Sequence, residues 1–319
     1  MSEQKAVASK PKASRQAFGE VLAELGAKHT DLVVLDADLA KSTKSELFAK
    51  KFPERFFEMG IAEQNMVGVA AGLGLAGKNA FCCSFACFVA GRFETIKISV
   101  AYSGGNVKIV GTHAGVGIGP DGYSQMGLED LALMRTLPTM EVYQPADELE
   151  TRQIVEYLAT HRGAAYLRLT RQDLTPVHGP GYEFAPGKLD VLAEGKDVAI
   201  LATGGPTFHA VDARKQLAAA GIDAAVINVP SIKPFDREGI AAWAKKVPLF
   251  VSVEDHNVLG GMGGAVAEVL AEVAGARARL HRHGIPDVFG ESGEPEDLYR
   301  KFKLDADGIV AVVRERLGR

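Results

Sequence analysis

Tryptophan occurs once and cysteine three times in this 319-residue sequence, and no apolar run is long enough to span a bilayer. The nearest run, residues 66–77, is short and broken by glycines. Cys82, Cys83 and Cys87 crowd into one apolar segment. That clustering excludes a disulfide framework and, without matching ligands elsewhere, a zinc site, so they read as buried small hydrophobes. Positive charge is not in excess: 36 Lys and Arg face 40 Asp and Glu, a formal net charge of -4, which argues against a nucleic-acid or anionic-membrane partner. Residues 1–13 are polar and lack the apolar stretch of a signal peptide. They read as a loose tail, with the cytoplasm as default location.

What is present is ordinary globular composition, 47% hydrophobic and 24% charged, in a chain long enough for two domains. Phe18, Val21, Leu22 and Leu25 give one apolar face of a helix over 14–28, with Ser14 as its N-cap. A buried strand at 32–35 runs into a polar turn and a helix at 45–51. Strands then alternate with helices: a strand at 80–84, a helix over 85–101, a strand at 107–111, a helix over 128–137, a strand at 141–143, a helix over 147–160 and a strand at 166–169. The period is lost between Arg171 and Asp190, where prolines and glycines punctuate a long connection. A second alternation fills 198–281, followed by two short helices. The expectation is an α/β protein of two doubly wound domains with mostly parallel sheets: a tail at 1–13, a first domain at 14–175, a linker at 176–190 and a second domain at 191–319. Gly204-Gly205 at a strand-to-helix turn fits either a tight turn, which is favoured, or an anion at a helix N-terminus.

The stretch 57–77, FEMGIAEQNMVGVAAGLGLAG, organises the rest. A strand end at Phe56, Phe57 and Met59 meets a turn at Gly60 and a helix from Ala62 rich in small residues. Glu63 sits in its first turn. A negative charge there is favourable against the helix dipole by about 0.3–1 kcal/mol, so Glu63 is a helix-start residue on charge alone. The helix that follows has Gly68, Ala70, Ala71, Gly72, Gly74 and Ala76, which let backbone or cofactor come close.

Gly60-Ile-Ala-Glu-Gln-Asn-Met-Val-Gly-Val-Ala-Ala-Gly resembles the pyrimidine-domain motif of transketolases. In that family the glutamate, here Glu63, touches the aminopyrimidine of thiamine diphosphate and drives the tautomer whose imino nitrogen removes the thiazolium proton. The resemblance covers the chain from about Ser14 to its end. It is strongest over 36–173 and weaker in Val253-Glu-Asp-His-Asn and Gly-Ile-Pro-Asp-Val-Phe-Gly.

Further roles follow from it residue by residue. Phe85 and Phe88, spaced for one helical face and core by default, match aromatics that flank the aminopyrimidine, where a flat ring gains from stacking. The third aromatic usual one turn on is Gly91 here. The loop Thr112-His-Ala-Gly-Val-Gly-Ile-Gly-Pro-Asp-Gly-Tyr-Ser-Gln contains a formal G-x-G-x-x-G at Gly117, Gly119 and Gly122. It fits a dinucleotide fingerprint badly, because no helix opens at its last glycine. In the family this loop crosses the active site, which implies that His113 and Asp121 bind sugar hydroxyls. Gln125 stands where the family usually carries a histidine, so the phosphate end of the acceptor site is altered. Ser14-Arg15, the turn 37–42 and Thr170-Arg171-Gln172 imply Arg15, Ser42 and Arg171 around the sugar phosphate and Asp38 against the cofactor. The planar guanidinium fork suits phosphate. Thr-Arg-Gln also favours transketolase over deoxyxylulose-phosphate synthase.

The family's other half binds the diphosphate and magnesium through Gly-Asp-Gly and a distant Asn, and no Gly-Asp-Gly occurs here. The resemblance therefore implies the C-terminal subunit of a two-component transketolase. It would have no metal ligands of its own, with magnesium held mainly by an N-terminal partner subunit, in an assembly of two copies of each chain. The reaction implied is transfer of a two-carbon ketol unit between sugar phosphates. The alternatives are a subunit of a related thiamine diphosphate enzyme, synthase-like or 2-oxoacid dehydrogenase beta-like, and a non-enzymatic structural subunit.

Overall fold

The computed structural model describes residues 10–319, so the expected tail of 1–13 lies outside the described residues up to residue 9. Its last part is not loose. Lys12–Ala13 pairs antiparallel with Asp173–Leu174, and the Lys12 ammonium meets Glu20 at 3.0 Å and Glu148 at 2.6 Å. Both Glu148 and the paired strand are remote in sequence, so the local polar composition carried no sign of them.

The first sheet has seven strands, in the order Ser231–Lys233, Glu141–Tyr143, Ala165–Arg168, Val107–Thr112, Asn79–Phe85, Leu32–Asp36 and Phe56–Glu58. Every pairing in it is parallel except the first. Parallel strands need crossovers, and helices fill them on both faces. The faces follow the two-residue period of a strand. Leu32 and Val34 enter a cluster with Phe18, Leu22 and Ile154, whereas Val33 and Leu35 join Met66, Val67 and Ala70 on the other side. Each such large apolar side chain contributes about 1.5–3 kcal/mol by leaving water.

The second sheet has five strands, in the order Arg279–Ile285, Leu249–Asn257, Val198–Ala202, Ala224–Asn228 and Asp190–Ala193, with only the last antiparallel. The fold is thus α/β with two mostly parallel sheets.

Two expectations need correction. The helix over 85–101 is broken: Phe85 ends a strand, and the chain continues as Ala86–Ala90, Phe93–Thr95 and a π-helical Ile96–Tyr102. The break falls at Arg92, whose backbone (φ -102, ψ 28) leaves the helical region just after Gly91. Ser14 is not an N-cap. Ala13 holds that place, and the Ser14 hydroxyl instead accepts the Thr170 N–H at 2.8 Å. One strand was not foreseen at all: Ser231–Lys233 lies in the second half of the chain yet forms an edge strand of the first sheet, Ser231 opposite Tyr143.

The Glu63–Leu75 helix has two unlike sides. Inward, a Cβ on Gly74 would stand 2.9 Å from the backbone N of Asn106, so only glycine permits this approach. Outward, Gly68 and Gly72 have nothing against them, and Ile61 and Leu75 are 83% and 61% exposed. Ile98 and Tyr102 of the neighbouring π-helical segment are exposed as well.

Candidate active site

The loops that carry the candidate residues leave five strands of the first sheet, all at their C-terminal ends. Asp38 and Ser42 follow Leu32–Asp36, and Glu63 follows Phe56–Glu58. Phe85 and Phe88 mark the end of Asn79–Phe85, His113 and Asp121 follow Val107–Thr112, and Arg171 follows Ala165–Arg168. These five strands are adjacent and parallel, so they present these ends on one edge, where open α/β sheets bind ligands. Arg15 arrives separately, in the first turn of the Ser14–Leu25 helix.

Glu63 opens its helix and is 7% exposed. Among the described residues its one donor is the Ser84 hydroxyl at 3.2 Å, so the carboxylate keeps acceptor capacity. Ser84 is followed by Phe85, whose ring stacks on Phe88 with centroids 5.5 Å apart at 6°. Phe85 also stacks on His113 at 3.8 Å. The two phenylalanines thus stack on each other, from a strand end and a short helix rather than along one helix face.

His113 is buried and has φ 58, the left-handed region that a non-glycine residue seldom adopts. Its Nδ1 lies 2.9 Å from Thr112 Oγ1 and its Nε2 lies 3.2 Å from Arg15 Nη1. Burial, then the charges of Arg15 and Arg171, push its pKa down to about 3. Arg15 also donates to the Ser42 carbonyl at 2.6 Å, while its Nε is buried with no partner among the described residues. Burial and the charge of Arg171 lower the pKa of Arg15. Arg171 donates to the Ile118 carbonyl and stands 4.0 Å from Asp121. Arg15, Ser42 and His113 thus form one hydrogen-bonded group, and Arg171 and Asp121 a second beside it, near enough for the Arg171 charge to act on Arg15 and His113.

Asp38 and Gln125 are not tied to either group. Asp38 is exposed at φ 62, and its N–H donates to Glu58 at 2.7 Å. Gln125 is half-buried, and its carbonyl accepts the Cys87 thiol at 3.1 Å. Burial raises that thiol to about 12 and keeps it protonated. Cys82 and Cys83 are fully buried, and burial raises them further.

Sequence reasoning missed four supporting residues. Ser84 holds Glu63, and Thr112 holds His113. Glu58 ties the Asp38 turn to Gly60, accepting both N–H groups. Asp36 builds the 37–43 turn by accepting Leu39 N–H at 2.7 Å, Thr43 at 2.7 Å and Ser45 at 2.8 Å. Burial outweighs these bonds and lifts Asp36 to about 6. An aspartate followed by Ser and Thr was the available signal there.

A cavity of about 670 Å³ opens beside Arg15 and Arg171, between the two domains. Arg15, Arg171, Gln172, His209, Tyr299 and Arg300 are among its lining residues. The loop 117–122 shows no dinucleotide geometry: it begins within one 3-10 turn, Val116–Ile118, and runs into another, Tyr123–Gln125, ahead of the Asp130–Thr136 helix. Among the described residues no helix is long and apolar enough to cross a membrane.

Comparison with known proteins identifies the family. Residues 10–176 match the family model described as transketolase, pyrimidine binding domain, and residues 187–309 match transketolase, C-terminal domain. The chain is 44% identical over 309 residues to a putative transketolase C-terminal section of Methanocaldococcus jannaschii, covering 96% of each. It is 40% identical to one subunit of an apulose-4-phosphate transketolase of Actinobacillus succinogenes, over 88% of this chain and 90% of that one. A solved structure described as a split gene transketolase, inactive beta4 tetramer, superposes with a TM-score of 0.88 at 49% identity, covering 96% and 98% of the two chains. The chain belongs to the transketolase family and corresponds to its C-terminal section, a pyrimidine-binding domain followed by the transketolase C-terminal domain.

Proposed function

We propose that this chain is the C-terminal subunit of a two-component transketolase that moves a two-carbon ketol unit from a ketose phosphate to an aldose phosphate, active only with an N-terminal subunit. The observation that carries the proposal is the shared edge of five adjacent strands, with the buried Glu63 carboxylate at one part of it and Arg15, His113 and Arg171 at another. Domains at 14–175 and 191–319, joined by a linker at 176–190, follow from the same reading.

The residues present fit thiamine diphosphate. Glu63 has acceptor capacity left for a ring nitrogen, and Phe88 is half-buried in a parallel aromatic stack with Phe85. Asp38 would approach the cofactor from the neighbouring turn. When bound, thiamine diphosphate supplies the electron sink for breaking and making the carbon–carbon bond. Glu63 would hold the aminopyrimidine by a hydrogen bond to its ring nitrogen. Neutral His113 and Asp121 orient sugar hydroxyls, while Arg15, Arg171, Ser42 and Gln125 receive the phosphate end. The diphosphate and Mg2+ fall to the partner.

Assembly completes the site. The outward face of the Glu63–Leu75 helix, with Ile61 and Leu75 exposed around bare glycines, is the kind of apolar surface that an interface covers. Two copies of each chain is the assembly we expect, in the cytoplasm. The solved relative described as an inactive beta4 tetramer supports an isolated chain that self-associates and does not turn over.

The deciding experiment assays ketol transfer by this chain before and after addition of an N-terminal subunit carrying Gly-Asp-Gly, with thiamine diphosphate and Mg2+ titrated calorimetrically. Activity only in the mixture is expected. Full activity from this chain alone would overturn the two-component proposal, and none with the correct partner would favour a structural role.

A further inference from the structure

The segment Val253-Glu-Asp-His-Asn lies in the Leu249–Asn257 strand of the second sheet, and its three ionisable side chains are all buried. Glu254 serves its own domain, accepting the N–H groups of Met262 at 2.6 Å and Gly263 at 2.8 Å. Asp255 does not. Its carboxylate crosses to the first domain and accepts the Val116 N–H at 2.8 Å and the Gly117 N–H at 3.4 Å. Tyr299 donates to the same carboxylate at 3.0 Å and accepts from Gln172, the neighbour of Arg171, at 2.9 Å.

These bonds grip the loop between His113 and Asp121 at its tightest point. A Cβ on Gly115, at φ 80, would collide with Asp255 Oδ2, and one on Gly117 would collide with Gln172 Nε2. Adhesion between the domains does not require a carboxylate here. Val116 and Ile118 already share an apolar cluster with Leu298 and Tyr299. Burying an ionisable group is costly, and burial raises the pKa of Asp255. What the carboxylate adds is direction, because two backbone N–H groups aimed at it admit one form of the turn.

We infer that Asp255 is a positioning residue for the sugar: it fixes the 115–118 turn and thereby sets His113 and Asp121 at the distance substrate requires. The inference rests on the proposed function, and it makes the C-terminal domain a part of the substrate site through one side chain.

The test compares wild type, Asp255→Ala and Asp255→Asn, each assembled with the N-terminal subunit. Three quantities are read: KM and kcat for sugar phosphates, thiamine diphosphate affinity by calorimetry, and hydrogen exchange of the peptide containing 114–119. For Asp255→Ala we expect faster exchange in that peptide, unchanged cofactor affinity, and a loss in kcat/KM of about 10- to 100-fold, the size of a small misplacement of substrate. Asp255→Asn should recover part of each change, since its amide oxygen still accepts from Val116, and it carries the test if the alanine variant does not fold. Unchanged exchange, or faster exchange with wild-type sugar constants, overturns the inference in an otherwise active complex. A wild-type complex without ketol transfer overturns the proposed function itself, and with it the role assigned to Asp255.

Discussion

Arg15 Nη1 stands 3.2 Å from His113 Nε2. A guanidinium can only donate, so Nε2 accepts and the ring proton sits on Nδ1, which donates to Thr112 Oγ1 at 2.9 Å. His113 is therefore held as one neutral tautomer, in line with a pKa pushed down to about 3 by burial and then by Arg15 and Arg171.

Across pH 5–8 the His113 ring should show no titration by NMR. In Arg15→Ala its pKa should rise, because the foremost of three cations acting on it is gone. The sign for stability follows: a folded pKa below the unfolded value means that the unfolded chain binds more protons, so this contribution falls as pH drops from about 6.5 toward 3. An ordinary histidine titration near neutrality would contradict the tautomer assignment.

Glu63→Gln should preserve folding and assembly and lower turnover by about 10²–10⁴-fold, the usual size of a general acid–base contribution. Its amide keeps an acceptor for Ser84 but loses the charge that a ring nitrogen needs. Steady-state assay of the assembled variant decides, and near-normal activity would remove Glu63 from the chemistry.

Arg171→Ala should weaken phosphorylated sugars by about 1.5–3 kcal/mol, typical for hydrogen bonds to charged groups, and leave unphosphorylated analogues nearly unaffected. Arg171 also donates to the Ile118 carbonyl, so a structural role has its own signature. Equal losses on both substrate classes would show that support of the loop is its main task.

His178, in the segment proposed as a linker, is buried between Asp147 at 2.9 Å and Asp190 at 3.0 Å, with Glu150 at 3.9 Å. Burial pulls its pKa down, but the bonds to Asp147 and Asp190 and the Glu150 charge outweigh this and hold it at about 10. The stabilisation is fully present below about pH 6.5 and is lost as pH rises toward 10. His178→Ala should cost about 3–5 kcal/mol, since it strands buried carboxylates. Urea unfolding of wild type and variant at about pH 6.5 and about pH 9.5 should show the gap narrowing with pH, and a constant gap would rule out protonation as its source.

Much of the fold was legible because parallel strands buried on both faces write themselves as short apolar runs, such as Leu32 to Leu35 and Val198 to Ala202. What escaped was contact between distant residues. The Ser14 hydroxyl finds Thr170, and Ser231–Lys233 finds Glu141–Tyr143; neither pairing leaves a local period. The candidate site divides the same way. Its charged and aromatic members were named from motif resemblance, whereas Ser84, Thr112, Glu58 and Asp36 act only through partners that folding brings near. The left-handed backbones of Asp38 and His113 could not be foreseen either, since neither residue demands that conformation.

The edge strand Ser231–Lys233 bears on how this chain can be cut. A fragment stopping in the linker would leave Glu141–Tyr143 with unpaired backbone groups along one rim, a template for pairing with a second fragment. Modules expressed by family boundaries alone would then precipitate. A chimera that exchanges the C-terminal domain must import a Ser231–Lys233 equivalent that suits the recipient's rim, because in this chain the last strand of one module is encoded within the other.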